Sequence, residues 1–217
     1  MKRILYASLM AIMLLAMAGC GDGGSGTPKS LTQILSDPAF DGDIALNSTG
    51  TTTITQGNTQ SVFAGIDPAT GIEYRAFLDF PLTGPGGVPG SAIIVSAYLD
   101  FVVNSIQPQP LAGTIPVRID LVSFQPPTLV GTDFDRTIQP ALATTTIFPP
   151  ISQSDFGNHV SIDVTPLMEE AQRLGLANFQ LRILEDLGIV SPGLIEIGDT
   201  TGSNRPTLAP LLQVTYF

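Results

Sequence analysis

The sequence predicts an all-β protein, an antiparallel β-sandwich of jelly-roll type with one short helix. Three observations carry that expectation. Short apolar runs alternate with polar residues at a period of two, Gly, Pro, Asn and Asp break them at regular intervals, and few segments show a helical period. Read in chain order, strands are expected at 51–54, 61–64, 74–80, 92–104, 115–124, 159–164, 178–185, 194–197 and 211–217. The connections carry strong turn chemistry: Asp67-Pro68-Ala69-Thr70-Gly71, then Gly84 through Gly90 with its two prolines, then Gln107-Pro108-Gln109-Pro110. Proline removes a backbone donor from a sheet, so these clusters mark connections and edges.

One helix is expected after the strand at 159–164. Thr165 can cap it, Pro166 fits a first turn that needs no donor, Glu169 and Glu170 lie toward its positive end, and Gly175 can stop it. Such a helix is placed to close one end of the sandwich. Alternation sorts each strand into two faces. Ala97, Leu99, Phe101, Val117, Ile119, Leu121, Val160, Ile162, Val164, Phe179, Leu181 and Ile183 form the expected core. Tyr98, Asp100, Val102, Arg118, Asp120, Ser161, Asp163, Gln180 and Arg182 form the expected outer surface.

The order of short motifs is distinctive. Phe63-Ala64-Gly65 precedes Tyr74-Arg75-Ala76-Phe77-Leu78-Asp79-Phe80, and Ile94-Val95-Ser96-Ala97-Tyr98-Leu99-Asp100-Phe101 follows. Later come Val160-Ser161-Ile162-Asp163-Val164-Thr165, Phe179-Gln180-Leu181-Arg182 and Pro210-Leu211-Leu212-Gln213-Val214-Thr215-Tyr216. From about Asp41 to Phe217 this course resembles the DNRLRE-type domain, also called disaggregatase-related, a β-sandwich of secreted and surface proteins. Asp79 stands where that family often has a basic or other polar residue, and the stretch 200–210 carries an unusual proline pattern. The resemblance implies a jelly-roll-like sandwich. Through relatives similar to a class of carbohydrate-binding modules, it also implies a role with acidic polysaccharides. A shared fold alone does not establish that role.

The N-terminus points to export. Lys2 and Arg3 precede an apolar stretch from Ile4 to Met17, and Ala18-Gly19 leads into Cys20, the one cysteine of the chain. That stretch is short of the roughly 20 residues a membrane-spanning helix needs. It reads as a cleaved signal peptide over 1–19 and resembles a bacterial lipoprotein signal, with Met17 where leucine is commonest. The resemblance implies diacylglyceryl attachment and N-acylation, with palmitate as one acyl group, at Cys20. Gly21 follows it where an aspartate would favour the inner membrane in some bacteria, so the expected location is the cell envelope, at the outer membrane. Residues 20–30 read as a Gly-rich tether, and 31–217 as one domain large enough to bury a core without disulfides. After cleavage seven basic residues face nineteen acidic ones, a balance of −12. That excludes a nucleic-acid partner, whose binding relies on Lys and Arg, and it provides no polybasic lipid-binding stretch.

Catalytic material is scarce. His159 is the single histidine, no Gly-x-Ser-x-Gly elbow is present, and Asp133 with Asp135 or Glu185 with Asp186 are sequence neighbours that read as solvated charges. The expectation is a non-enzyme. Asp37, Asp41 and Asp43 in one stretch, and Asp199, Thr200 and Asn204 in another, suit calcium's preference for oxygen but fit no EF-hand loop. They read as polar turns, and no metal site is assigned, although calcium stays possible. A sugar-binding surface needs an aromatic platform and directional donors. The chain has no tryptophan, which leaves Tyr74 and Tyr98 with Arg75, Asp100, Arg118, Asp120, Gln180 and Arg182 as the candidate ligand-binding set. The competing reading of that set is a cross-strand ion-pair ladder. The expected work is recognition of a polysaccharide at the envelope. The alternative is a structural or assembly subunit that binds an envelope protein.

Overall fold

The structure, a computed structural model, describes residues 28–108, 113–124, 128–186 and 193–217. Among the described residues there are twelve strands: β1 Ser30–Leu35, β2 Gly42–Leu46, β3 Thr52–Gln56, β4 Ser61–Ile66, β5 Glu73–Pro81, β6 Ile94–Pro108, β7 Val117–Val122, β8 Ala143–Thr146, β9 His159–Asp163, β10 Asn178–Glu185, β11 Gly193–Gly198 and β12 Leu211–Tyr216. Every pairing between these strands is antiparallel. The long strand β6 is the hinge of the sandwich. Its first half pairs with β12 and β9, and β12 in turn pairs with β1. Its second half pairs with β11, from which the sheet continues through β4, β5, β10 and β7 to β8. A register shift in β11 between Glu196 and Ile197 accompanies that change of partner. A hairpin of β2 and β3 joins the other edge of β5.

All nine expected strands are present. β1, β2 and β8 are additions. The inward halves of the alternation meet as expected: Ala97, Leu99, Phe101, Ile119, Leu121, Phe179, Leu181 and Ile183 are buried in one apolar core, joined by Ala76, Leu78 and Phe80 of β5. Each leucine, isoleucine or phenylalanine among them contributes roughly 1.5–3 kcal/mol by leaving water.

Helix α1, Thr165–Arg173, presents Leu167, Met168 and Ala171 to that core. Its end is as expected: Gly175 adopts φ 65°, its N–H reaches Gln172 O, and Leu176 N–H reaches Ala171 O, a Schellman closure. Its start differs. The helix begins at Thr165 itself, whose N–H donates to Asp163 Oδ1 at 2.9 Å, while the Thr165 hydroxyl accepts Ala97 N–H at 2.9 Å and so ties the helix to β6. A second, four-residue helix, α2 (Arg205–Leu208), precedes β12.

The main correction concerns the outer surface. Asp120, Gln180 and Arg182 are buried, as is Val102. The outward face of β5, β10 and β7 is covered by the excursion between β7 and β8, which also packs on Ile44 of the neighbouring strand β2. Ile44, Phe77, Val122, Phe124, Leu129 and Phe134 form a second apolar cluster there, with Phe77 and Phe124 edge to face at 5.9 Å. Side chains that alternation assigns to solvent therefore lie between two layers.

Candidate functional site

Beneath that cover, register sets the order of the polar residues. Gln180 stands between Asp79 and Val122, and Arg182 between Phe77 and Asp120. Arg182 donates to Asp120 Oδ2 at 2.7 and 3.2 Å, to Asp133 O at 2.8 Å and to Gln139 O at 3.0 Å. Both side chains of the ion pair are fully buried. Burial lowers the Arg182 pKa, and the Asp120 carboxylate opposes that shift. Gln180 donates to Asp79 Oδ2 at 2.8 Å and accepts Phe124 N–H at 3.0 Å, so it fastens the covering segment to the sheet. Burial raises the Asp79 carboxyl, and its hydrogen bonds from Gln180 and Asn178 work against that.

The cover leaves a cleft of about 410 Å³ at its edge, lined by residues that include Leu46, Thr52, Arg75, Thr132, Phe134 and Arg136. A one-turn 3-10 helix at Gly131–Phe134 shapes one wall, closed by Asp133 Oδ2 accepting Val130 N–H at 2.8 Å. The Arg75 guanidinium carbon lies over the Phe134 ring, 3.9 Å from its centre; Arg75 donates to Glu73 Oε1 at 2.7 Å and also to Phe134 O. Arg136 Nε donates to Asp120 Oδ2 at 3.0 Å, so Asp120 serves two guanidiniums, one sealed and one at the cleft. The charged lining is Arg75 and Arg136 against Asp135, in a chain of formal charge −10. Three of the seven basic residues that follow Cys20 thus converge here.

The sequence-predicted set does not form one surface. Arg75, Asp120, Gln180 and Arg182 come together under or beside the cover. Arg118 stands apart, donating to Asp186 Oδ2 at 3.2 Å with both partners partly exposed. Tyr74 is half-buried beside Phe63, ring centres 5.8 Å apart. Tyr98 and Asp100 lie on the other sheet, where Tyr98 is exposed and Asp100 Oδ1 contacts His159 Nδ1 at 2.5 Å. The expectation of an open polar face over β6, β7 and β10 fails for this reason: a strand's alternation says which residues share a face, not what covers it. Arg136, Thr132 and Phe134 went unnoticed because they lie in a loop with no periodic signal. The one available hint was the scarcity of basic residues, which makes each arginine in the acidic chain informative.

A second group of acids clusters around the turn after β1. Asp41 and Asp199 are both fully buried. Asp41 Oδ1 accepts Asp79 N–H at 2.8 Å, and Asp199 Oδ1 accepts from Arg205 at 3.3 Å. Burial, and then the charge of Asp199, push the Asp41 carboxyl well above the ordinary aspartate range. No donor points at Asp41 Oδ2, which fits an oxygen that itself carries the proton shared with Asp199. The fold thus brings together the two stretches in which calcium ligands were considered, and Arg205 already supplies a cation to them. Among the described residues no group of three or more His, Cys, Asp or Glu side chains is suited to a metal ion. Nearby, burial raises Asp43 to about 6, and on the main sheet it raises Glu185 to about 7.

Cys20 and the signal segment lie outside the described residues. Among the described residues no helix is long and apolar enough to cross a membrane. No family model matches the chain, and no curated protein is significantly similar to it.

Proposed function

We propose that this protein is a non-catalytic recognition module, held on the cell envelope through acyl chains at Cys20, that binds a carboxylated polysaccharide in the Arg75–Arg136 cleft. The observation that carries the proposal is the pair of guanidiniums in one cleft, one of them held over an aromatic ring, in a strongly acidic chain. A planar guanidinium with spare donors matches a carboxylate better than a flexible ammonium does. Arg136 uses Nε and Nη2 on Asp120, and Nη1 makes no hydrogen bond to any other described residue. Thr52 and Thr132 line the same space, and threonine side chains suit a polyhydroxylated ligand. The motif order shared with the DNRLRE-type domain and the lipoprotein-like leader are consistent with such a role.

The test is calorimetric titration of oligouronates and of neutral gluco-oligosaccharides of matched length into the wild type, Arg136→Ala and Arg118→Ala. A charge-assisted hydrogen bond contributes about 1.5–3 kcal/mol, so Arg136→Ala is expected to weaken uronate binding about 10- to 100-fold. Arg118→Ala is expected to leave it unchanged. Equal affinity of wild type and Arg136→Ala, or no uronate binding at all, overturns the proposal and favours a protein-binding role.

A further inference from the structure

Four side chains from three adjacent chain segments form a small apolar patch around the end of β12. Leu31 of β1 pairs with Thr215 of β12, which sets it beside Phe217 on the same outward face. Ile93, just before β6, exchanges both backbone hydrogen bonds with Phe217, at 3.3 and 3.1 Å. Lys29 holds its ammonium 5.7 Å from the centre of the Phe217 ring. Leu31 is 63 % exposed, Ile93 68 % and Phe217 41 %. Isolated exposed apolar residues are ordinary, but neighbours from three segments gathered around one cation are a surface with a use.

The position of the patch in the chain identifies its occupant. Lys29, at the edge of the patch, follows Cys20 by nine residues (29 − 20). Nine residues span at most about 30 Å at full extension, so an acylated Cys20 keeps this face within reach of a bilayer surface. Phenylalanine and leucine side chains favour the headgroup–acyl boundary, and a lysine beside them extends its charge to the headgroups while its stem stays in apolar surroundings. Lys29 gives this face a positive charge in a chain of formal charge −10, which suits it to headgroup phosphates.

We propose that Lys29, Leu31, Ile93 and Phe217 form a membrane-contact surface that seats the domain on the bilayer beside its own anchor. This rests on acylation at Cys20. It adds an orientation, with the Arg75–Arg136 cleft carried on the other sheet.

The chain contains no tryptophan, so a single introduced indole reports on one place without background. The full acylated chain is reconstituted into phosphatidylcholine vesicles with or without brominated acyl chains, as Phe217→Trp and, for comparison, as Phe148→Trp. Phe148 is 93 % exposed and lies just past β8, beside Ser161 and Asp163 of β9 and outside the patch. Emission of the Phe217→Trp protein is expected to shift to the blue on reconstitution and to fall at least twofold with brominated chains. Emission of the Phe148→Trp protein is expected to stay unchanged. Unquenched emission from an acylated Phe217→Trp protein overturns the proposal. So does a blue shift that already exists without lipid, which means another protein or a second copy covers the patch. Intact-mass measurement of the same sample reads the anchor separately: a Cys20 without acyl chains refutes the anchoring, and this proposal with it.

Discussion

Replacing Arg182 by alanine removes the donor at the centre of the covered polar layer, and its expected cost follows from four bonds. Two go to Asp120 Oδ2, one to Asp133 O and one to Gln139 O, with guanidinium and carboxylate both sealed from solvent. Removing one member of a buried ion pair costs about 3–5 kcal/mol, chiefly through the charge left behind. One feature lowers that figure: Asp120 keeps Arg136 at 3.0 Å. Another raises it, since two carbonyls lose their donor, at about 1–3 kcal/mol for each that stays dry. The two corrections oppose each other, and the expected cost remains about 3–5 kcal/mol. In a domain of this size that corresponds to a melting point lower by roughly 6–20 °C. Urea unfolding followed by circular dichroism measures it as a midpoint shift at constant slope. Arg118→Ala is the comparison, because its bond to Asp186 joins two partly exposed side chains and contributes about 0–1 kcal/mol. If Arg182→Ala costs no more than Arg118→Ala, the covered layer is not a structural network and the burial argument fails.

Three further outcomes are expected. Asp41→Asn should preserve stability, because an amide can donate to Asp199 as the protonated carboxyl does, whereas Asp199→Asn should cost about 1–3 kcal/mol by depriving Arg205 of its charge partner. Thermal melting at pH 7 ranks the two, and the reverse order refutes the shared proton. Asp43 and Glu185 have folded-state values raised to about 6 and about 7. The native state therefore binds more protons than the unfolded chain above pH ~4, and stability should decline as pH rises through that window. Glu185→Gln should flatten this decline, read as melting points at pH 5 and pH 8, and an unchanged difference between them counts against the assignment. Gly65 has φ +113°, and a Cβ there would lie 2.1 Å from Gly193 O, so Gly65→Ala should destabilise by more than about 2 kcal/mol. Gly50→Ala, with positive φ but open space, should cost about 1–2 kcal/mol; equal losses at the two sites would show that the close approach of β4 to β11 is unimportant.

What the sequence discloses is decided by periodicity. The strands it reveals most clearly alternate large apolar residues with polar ones over several positions, as in β6, β7 and β10. β8, Ala143–Thr146, has no large apolar side chain, and β2, Gly42–Leu46, contains Asp43 and follows Asp41, acids that resemble a turn yet are buried. β1 hides its pattern because Leu31 faces outward while Thr32 and Ile34 face inward. The inner face of the sandwich was legible because all its members are apolar. The outer face was not, because Arg118 and Arg182 occupy equivalent outward positions in sequence. Arg182 is sealed where the segment after β7 crosses it, through the Asp133 and Gln139 carbonyls, whereas Arg118, opposite Leu184 and Thr146, stays partly wet.

That difference bears on how the cleft could work. A buried carboxylate stripped of its partner is costly, so a binding arginine that is also the sole partner of such a group would resist turning to a ligand. Asp120 escapes this constraint, because Arg182 holds it at 2.7 Å from within the covered layer while Arg136 approaches from the cleft at 3.0 Å. On the proposed reading, Arg136 can lend its guanidinium to a ligand carboxylate while Asp120 remains paired. The same logic separates the two arginines experimentally: loss of Arg182 should appear first as instability, and loss of Arg136 first as weaker binding in a domain that still melts near the wild-type temperature. A domain in which Arg136→Ala lowers stability as much as Arg182→Ala does would have no arginine to spare for a ligand.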